Sequence, residues 1–254
     1  MRRIRRPLLA LFLLLPSLSW SEGRAPQKAK RDAQAITVIA QSLSQMGLVA
    51  SSTIETIGEG TMTYANGKSE SIKLETIGTD RLRCDLGGNF TMVSKAGNGF
   101  VVIQGARHVL PAWTTKYKRP NHLPGLSLMA DYQIENLQLQ YVGLEKVNGT
   151  TAHHLRISVV PSDETPAEVE DVMSELHVYV DQASLMVIRI RTFDFSPETP
   201  VNRTPVDTDF GDYRQQDGAL IPFRMTRYVD GQKESVIVLD KISLNASVSD
   251  SDFE

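Results

Sequence analysis

Cysteine is almost missing from this chain: Cys84 is the only one in 254 residues. A lone thiol cannot close an internal disulfide even in an oxidising compartment, so stability must come from an apolar core. Aromatic residues are sparse at 7%, which argues against the aromatic girdles of an outer-membrane barrel, despite the Phe253 near the C-terminus that such barrels favour. Positive charge is not in excess either. The net charge of −3 includes Arg2, Arg3, Arg5 and Arg6, so a chain without its first residues is more acidic still. That balance excludes nucleic acid and anionic lipid headgroups as partners attracted by charge.

The motifs of catalysis and metal binding are missing as well. Gly125-Leu126-Ser127-Leu128-Met129 lacks the closing glycine of a nucleophile elbow. His108, His122, His153, His154 and His177 show no His-Glu-x-x-His spacing, and one cysteine cannot make a Cys-x-x-Cys pair. Asp207, Asp209 and Asp212 offer hard oxygens, but Gly211 falls one place early for a calcium loop and no closing glutamate follows, so a solvated acidic loop is expected there. Cys84 reads as a structural residue between Arg83 and Asp85. No catalytic residue, metal ligand or cofactor is assigned, and the protein is expected not to be an enzyme.

What is present begins with an address. Four arginines precede an apolar run from Leu8 to about Trp20, which is too short to span a bilayer and has the form of a secretory signal peptide. Cleavage is expected near Ser21, dividing the chain into a signal peptide at 1–21, a polar linker at 22–31 and one domain at 32–254. No cysteine flanks the cleavage point, so the exported protein is expected to be free of a lipid anchor.

Asp32 is placed to cap a helix in which Ile36, Ile39, Ala40, Leu43 and Met46 recur near helical spacing, with Gly47 placed to end it. From Ser52 the period becomes two. Asn66-Gly67, Gly87-Gly88-Asn89, Gly97-Asn98-Gly99, Asn148-Gly149, Asp217-Gly218 and Asp230-Gly231 punctuate an antiparallel meander. Leu155, Ile157 and Val159 oppose His154, Arg156 and Ser158, which predicts one dry and one wet sheet face, with His153 on the dry side. Residues 161–175 read as an acidic loop with a helical turn near 167–173. Residues 196–209, with Pro197, Pro200 and Pro205, read as a long connection or an edge. Residues 107–130 mix apolar side chains with three prolines and read as an apolar flap.

Roughly ten or eleven strands at about 4.8 Å make a sheet about 50 Å wide, and one helix about 10 Å across cannot cover its dry face. The expected fold is therefore mainly β with α: a curled antiparallel half-barrel sheet covered by an N-terminal helix and an apolar flap. Such a sheet leaves an apolar cavity or fills it with its own side chains. The candidate ligand contacts are Ile36, Ile39 and Leu43 on the helix and Leu110, Trp113, Leu123, Leu126, Leu128 and Met129 in the flap.

Three late segments carry a family likeness. Asp181-Gln182-Ala183-Ser184-Leu185-Met186 precedes an alternating strand; 212–222 runs from Asp212-Tyr213 through Asp217-Gly218 to Ile221-Pro222; and Val238-Leu239-Asp240-Lys241-Ile242-Ser243-Leu244-Asn245 ends the β pattern. With the order signal peptide, helix, meander, flap and second meander, the chain resembles the periplasmic lipoprotein carriers of the LolA/LolB type. The resemblance implies a periplasmic protein whose partner is a lipid or the acyl chain of a lipoprotein, carried without chemical change. Related folds also serve as periplasmic sensors regulating anti-sigma factors. The alternative is thus a protein-interaction or sensor module with a filled β core that meets an envelope protein through the loops at 161–175 and 196–209.

Overall fold

The computed structural model describes residues 29–48, 55–78, 81–95, 97–111, 137–160, 173–196 and 199–254. The expected signal peptide, most of the flap and most of the acidic loop lie outside them. One α-helix, α1 (Ala33–Gln45), comes first among these residues. Six strands follow: β1 (Glu55–Tyr64), β2 (Ser69–Ile77), β3 (Arg81–Leu86), β4 (Phe90–Lys95), β5 (Asn98–Ile103) and β6 (Ala106–Val109). Seven more complete the sheet: β7 (Leu137–Val147), β8 (Thr150–Val159), β9 (Leu176–Asp181), β10 (Val187–Ser196), β11 (Thr199–Gln216), β12 (Ala219–Val229) and β13 (Gln232–Leu244).

All thirteen strands belong to one open antiparallel sheet ordered β6-β5-β4-β3-β2-β1-β13-β12-β11-β10-β9-β8-β7. Two meanders therefore start from different places: one runs outward from the middle, and the other returns from the opposite edge to meet β1 at β13. Each hairpin dipeptide read from the sequence falls on a turn. Asn148-Gly149, Asp217-Gly218 and Asp230-Gly231 have positive φ at both residues, the mirror-image turn whose twist matches that of paired strands. Gln104-Gly105 does the same between β5 and β6. Sequence reasoning passed over it because glutamine is not a usual residue for that conformation.

The helix starts as read. The Asp32 carboxylate accepts from the amides of Gln34 and Ala35. Its buried stripe is rotated from the expected one, because Ala35, Val38, Ile39, Ser42 and Leu43 face the sheet while Ala40 is exposed and Ile36 half-buried. At its end Gly47 has φ +72°, and a Cβ there would stand 2.3 Å from the Gly218 carbonyl oxygen. The helix is pinned at both ends: Asp32 N–H donates to Leu139 O and Leu139 N–H to Lys30 O on β7, while Leu220 N–H on β12 donates to Met46 O. At 1.5 Å per residue, 13 residues span about 20 Å, against about 58 Å for thirteen flat strands. It therefore crosses the β7–β12 half alone.

The main core joins that helix stripe to Leu137 and Leu139 of β7, Leu155 and Ile157 of β8, Val178 and Val180 of β9, Ile190 of β10, Phe210 of β11, Phe223 and Met225 of β12, Leu239 of β13, and Ile72 and Leu74 of β2. All of them point to the inner, helix-bearing face. A second core lies on the outer face, where the C-terminal turn at Asp250–Phe253 folds back over β3 and β4 and buries Phe253 with Ile77, Val93, Phe100 and Val248. Phe253 is a packing residue, and the sheet is not closed into a barrel.

Residues 196–209 decide between the two expectations for them, against a long connection and for an edge: Thr199–Gln216 is the longest strand among the described residues. Its first part pairs with β10 alone, since pairing with β12 starts at Val206. Pro205 is tolerated there because one side of the strand needs no donor, and its carbonyl still accepts from Asp230 N–H at 2.9 Å.

Candidate ligand-binding face

The inner face continues past the helix onto β13 and β1–β6. Alternation and register place Leu244, Ile242, Leu239 and Ile237 of β13 beside Gly58, Gly60 and Met62 of β1, then Leu74 and Ile72 of β2, then Cys84 and Leu86 of β3. Gly60 marks a bulge against β13. A Cβ there would meet the Val238 carbonyl oxygen at 2.1 Å, so only glycine lets the two backbones approach. Beyond β3 the same face carries Met92 and Phe90 of β4 and Val101 and Ile103 of β5. Met62, Cys84, Leu86, Phe90, Met92 and Val101 are half-buried, and Ile103 is 46% exposed. An apolar surface thus runs out of the packed core into accessible space.

Polar groups edge this surface at one end of the strands. Tyr64, Ser235 and Arg227 lie side by side on β1, β13 and β12. Tyr64 donates to Glu70, which also pairs with Lys68 at 2.6 Å. Arg227 reaches Glu234 and Asp194. The lysine and tyrosine hydrogen bonds hold the Glu70 carboxyl below its ordinary range despite a smaller opposing effect of desolvation, and burial followed by Glu70 pushes the Tyr64 phenol up. Within the face, burial first and Asp85 second push the Cys84 thiol up to about 11. The thiol is therefore protonated at neutral pH and behaves as a small apolar group. Tyr213 of β11 is half-buried and donates to Val187 O at 2.5 Å.

The residues read from the sequence as ligand contacts fall into three groups. Ile39 and Leu43 are fully packed in the core, and Ile36 is half-buried beside it. Leu110 is half-buried just beyond β6, its amide donating to Gly99 O at 2.8 Å. Trp113, Leu123, Leu126, Leu128 and Met129 lie outside the described residues. The structure adds Met62, Cys84, Leu86, Phe90 and Met92. Their signal was in the sequence, since Leu82, Cys84 and Leu86 alternate with Arg81, Arg83 and Asp85. A groove of about 190 Å³ lies on the other face, lined by Ile57, Glu59, Lys73, Lys241, Ser243 and Ala246.

That outer face also corrects two polar expectations. Asp207 and Asp209 sit in β11 and form a charge ladder: Arg191 binds Asp207 through two contacts at 2.7 and 2.9 Å, and Arg189 binds Asp209. Asp212 pairs with Arg214 in the same strand at 2.6 Å. These are cross-strand and local ion pairs of a sheet, not a solvated loop. His154, expected on a wet face, is buried with its ring stacked on Tyr179 at 4.5 Å. His153 lies half-buried on the inner face beside Tyr141 Oη at 3.0 Å. Among the described residues no group of His, Cys, Asp and Glu could hold a metal ion.

No protein-family model matches the sequence, and no curated protein matches it in sequence. Solved structures do match. An outer membrane lipoprotein-sorting protein domain from Vibrio parahaemolyticus gives a TM-score of 0.56 at 11% identity, over 85% of this chain and 94% of its own. A LolA superfamily protein from Nitrosomonas europaea gives 0.52 at 8% identity, over 86% and 97%. This chain has the LolA-like fold. A DUF1329 family protein from Desulfovibrio piger matches at a TM-score of 0.55 and 12% identity, over 87% and 96%. The LolA-like fold is thus found in solved structures that are only 8–12% identical to this chain. A shared fold does not fix a ligand, and the chemistry of this LolA-like face rests on its own residues.

Proposed function

We propose that this protein is an exported, non-enzymatic carrier or binding protein of the periplasm that takes an apolar ligand, a lipid or a lipoprotein acyl chain, on the inner face of its sheet. The observation that carries the reading is the mismatch of widths. A helix of about 20 Å covers one half of the sheet, and the other half, which no helix among the described residues reaches, presents Met62, Cys84, Leu86, Phe90, Met92 and Val101 half-buried and without charge. Burying a chain of methylenes against such a face stabilises the complex by about 0.8 kcal/mol per CH₂. The polar edge at Tyr64, Glu70 and Arg227 suits a headgroup left near water. The ligand meets the helix at Ile36, with Ile39 and Leu43 packed behind it, and reaches Leu110 at the far margin. Export and a periplasmic address are supported by the basic, then apolar, N-terminal sequence.

The test is mass spectrometry of lipids released from natively purified protein, followed by titration with a fluorescent fatty acid. Co-purifying lipid and saturable binding are expected. Leu86→Asp, which sets a charge in the middle of the face, should weaken binding at least tenfold while far-ultraviolet circular dichroism stays unchanged. A second reading draws on the tight packing of Ile39, Leu137, Leu155 and Val178 around the helix: a protein-interaction or sensor module of the envelope that holds no ligand. Absence of both co-purified lipid and probe binding would select it.

A further inference from the structure

Four side chains stand in line on the outer face of β7, β8 and β9. Glu145 Oε2 is 3.0 Å from His154 Nδ1, His154 Nε2 is 2.7 Å from His177 Nδ1, and His177 Nε2 is 2.6 Å from Glu175 Oε1. Ionised carboxylates only accept, so each outer contact needs a ring N–H. The nitrogen-to-nitrogen contact in the middle needs one more. Two neutral imidazoles carry two ring protons between them, and this chain of contacts requires three.

We infer that His154 and His177 share one excess proton as a singly charged imidazole pair clasped between Glu145 and Glu175, and that the pair is a pH sensor on the outer face of the sheet. In this arrangement His177 carries both ring protons, while His154 keeps Nδ1–H and accepts through Nε2. Remove one proton and two lone pairs face each other across one contact. Add one and two N–H groups point at each other at 2.7 Å.

The surroundings favour the singly charged state. On β8, Arg156 binds Glu175 at 2.9 Å, and Arg203 of β11 binds the same oxygen at 3.2 Å. Tyr179 of β9 stacks on His154, and Phe193 of β10 meets His177 edge-on at 5.8 Å. Arg191 of β10 lies near His154, its own charge largely taken up by Asp207 of β11. Glu175 is thus shared with two arginines, while the ion pair of Glu145 among the described residues is with His154, and Arg191 and Tyr179 also lie within its electrostatic reach. Burial first, and repulsion from His177 second, hold His154 below the ordinary histidine range against the pull of Glu145. A basic group with a depressed folded pKa binds its proton more readily when unfolded. Its stabilising contribution is therefore present above the unfolded value of about 6.5 and is lost as pH falls below it. The clasp lies on the face opposite the proposed ligand surface, so neither proposal depends on the other.

Long-range proton–nitrogen NMR of the full ¹⁵N-labelled chain reads the ring protons directly. Near neutral pH one ring should show two protonated nitrogens and the other one protonated and one bare, with the fourth proton entering well below pH 6.5. Two neutral rings at that pH, or two rings titrating independently as ordinary histidines, would overturn the inference. Urea denaturation supplies a second readout. As pH falls below about 6.5 the unsubstituted protein should lose about tenfold in its folding constant for each unit by which the folded His154 pKa lies below the unfolded one, and His154→Gln should flatten that slope below about pH 6.5. An unchanged slope counts against the sensor; should the variant not fold, the ring spectra decide.

Discussion

At the scale of single residues, the polar side chains of the outer face matter more than their sequence suggests. Glu175 is enclosed by His177, Arg156 and Arg203. Burial raises its pKa, but the hydrogen bonds from His177 and Arg156 outweigh that and bring it to about 2. A carboxylate whose folded pKa is depressed contributes stability that is present above its unfolded value and is lost as pH falls through the folded one. Acid unfolding should therefore show a loss between the ordinary glutamate value of 4.5 and about 2, and Glu175→Gln should remove that limb in a series of urea titrations. No single-sequence pattern pointed to this cluster. Alternation correctly put His154 and Arg156 on one face, but whether that face is wet, and that His177 joins it, depends on which strands lie beside it, and the pairing of β8 with β9 and of β10 with β11 is long-range information.

At the scale of elements, the helix was the most legible part, because its cap and its end are local chemistry. Asp32→Ala should cost about 1 kcal/mol by removing an acceptor from two first-turn amides. Denaturant midpoints of the two proteins measure this, with an unchanged slope if the sheet is untouched. The rotation of the buried stripe from Ala40 toward Ala35 and Val38 was not legible, because alanine fits either face and the choice falls to the sheet beneath. The hairpins were readable for the same reason as the cap: Asn-Gly and Asp-Gly report their own backbone conformation. The stretch with Pro205 was read as a connection or an edge and only the second holds, because a proline signals a missing donor but not whether a strand runs through it.

At the scale of the whole molecule, the sequence carried the fold class and the width argument, while the reach of the C-terminus escaped it. The turn at Asp250–Phe253 looks like an exposed tail in sequence, yet it lids the outer face of β3 and β4, with Arg83 donating to Asp252 O at 3.0 Å and Arg81 bound to Asp250 at 2.7 Å. Phe253→Ala should destabilise the protein by about 3–5 kcal/mol, as for other large core truncations, and a thermal or urea melt would register it. A loss below about 1 kcal/mol would mean that the tail is held by its ion pairs alone. The candidate face was half legible: apolar alternation in 82–86 was plain, but the sequence could not say that the helix stops at β12, short of that alternation.

The seam between β1 and β13 joins residues 55–64 to residues 235–244. Every other neighbour in the first meander is made within a few residues of its partner, so those hairpins can form as the polypeptide emerges. β1 alone must wait for the final strand to be synthesised and delivered. Until then it is an unsatisfied border, open to any stray extended segment, and the newborn chain depends on protection or on speed. A truncated chain lacking the thirteen-residue strand β13 is therefore expected to aggregate, which light scattering of the two proteins would register.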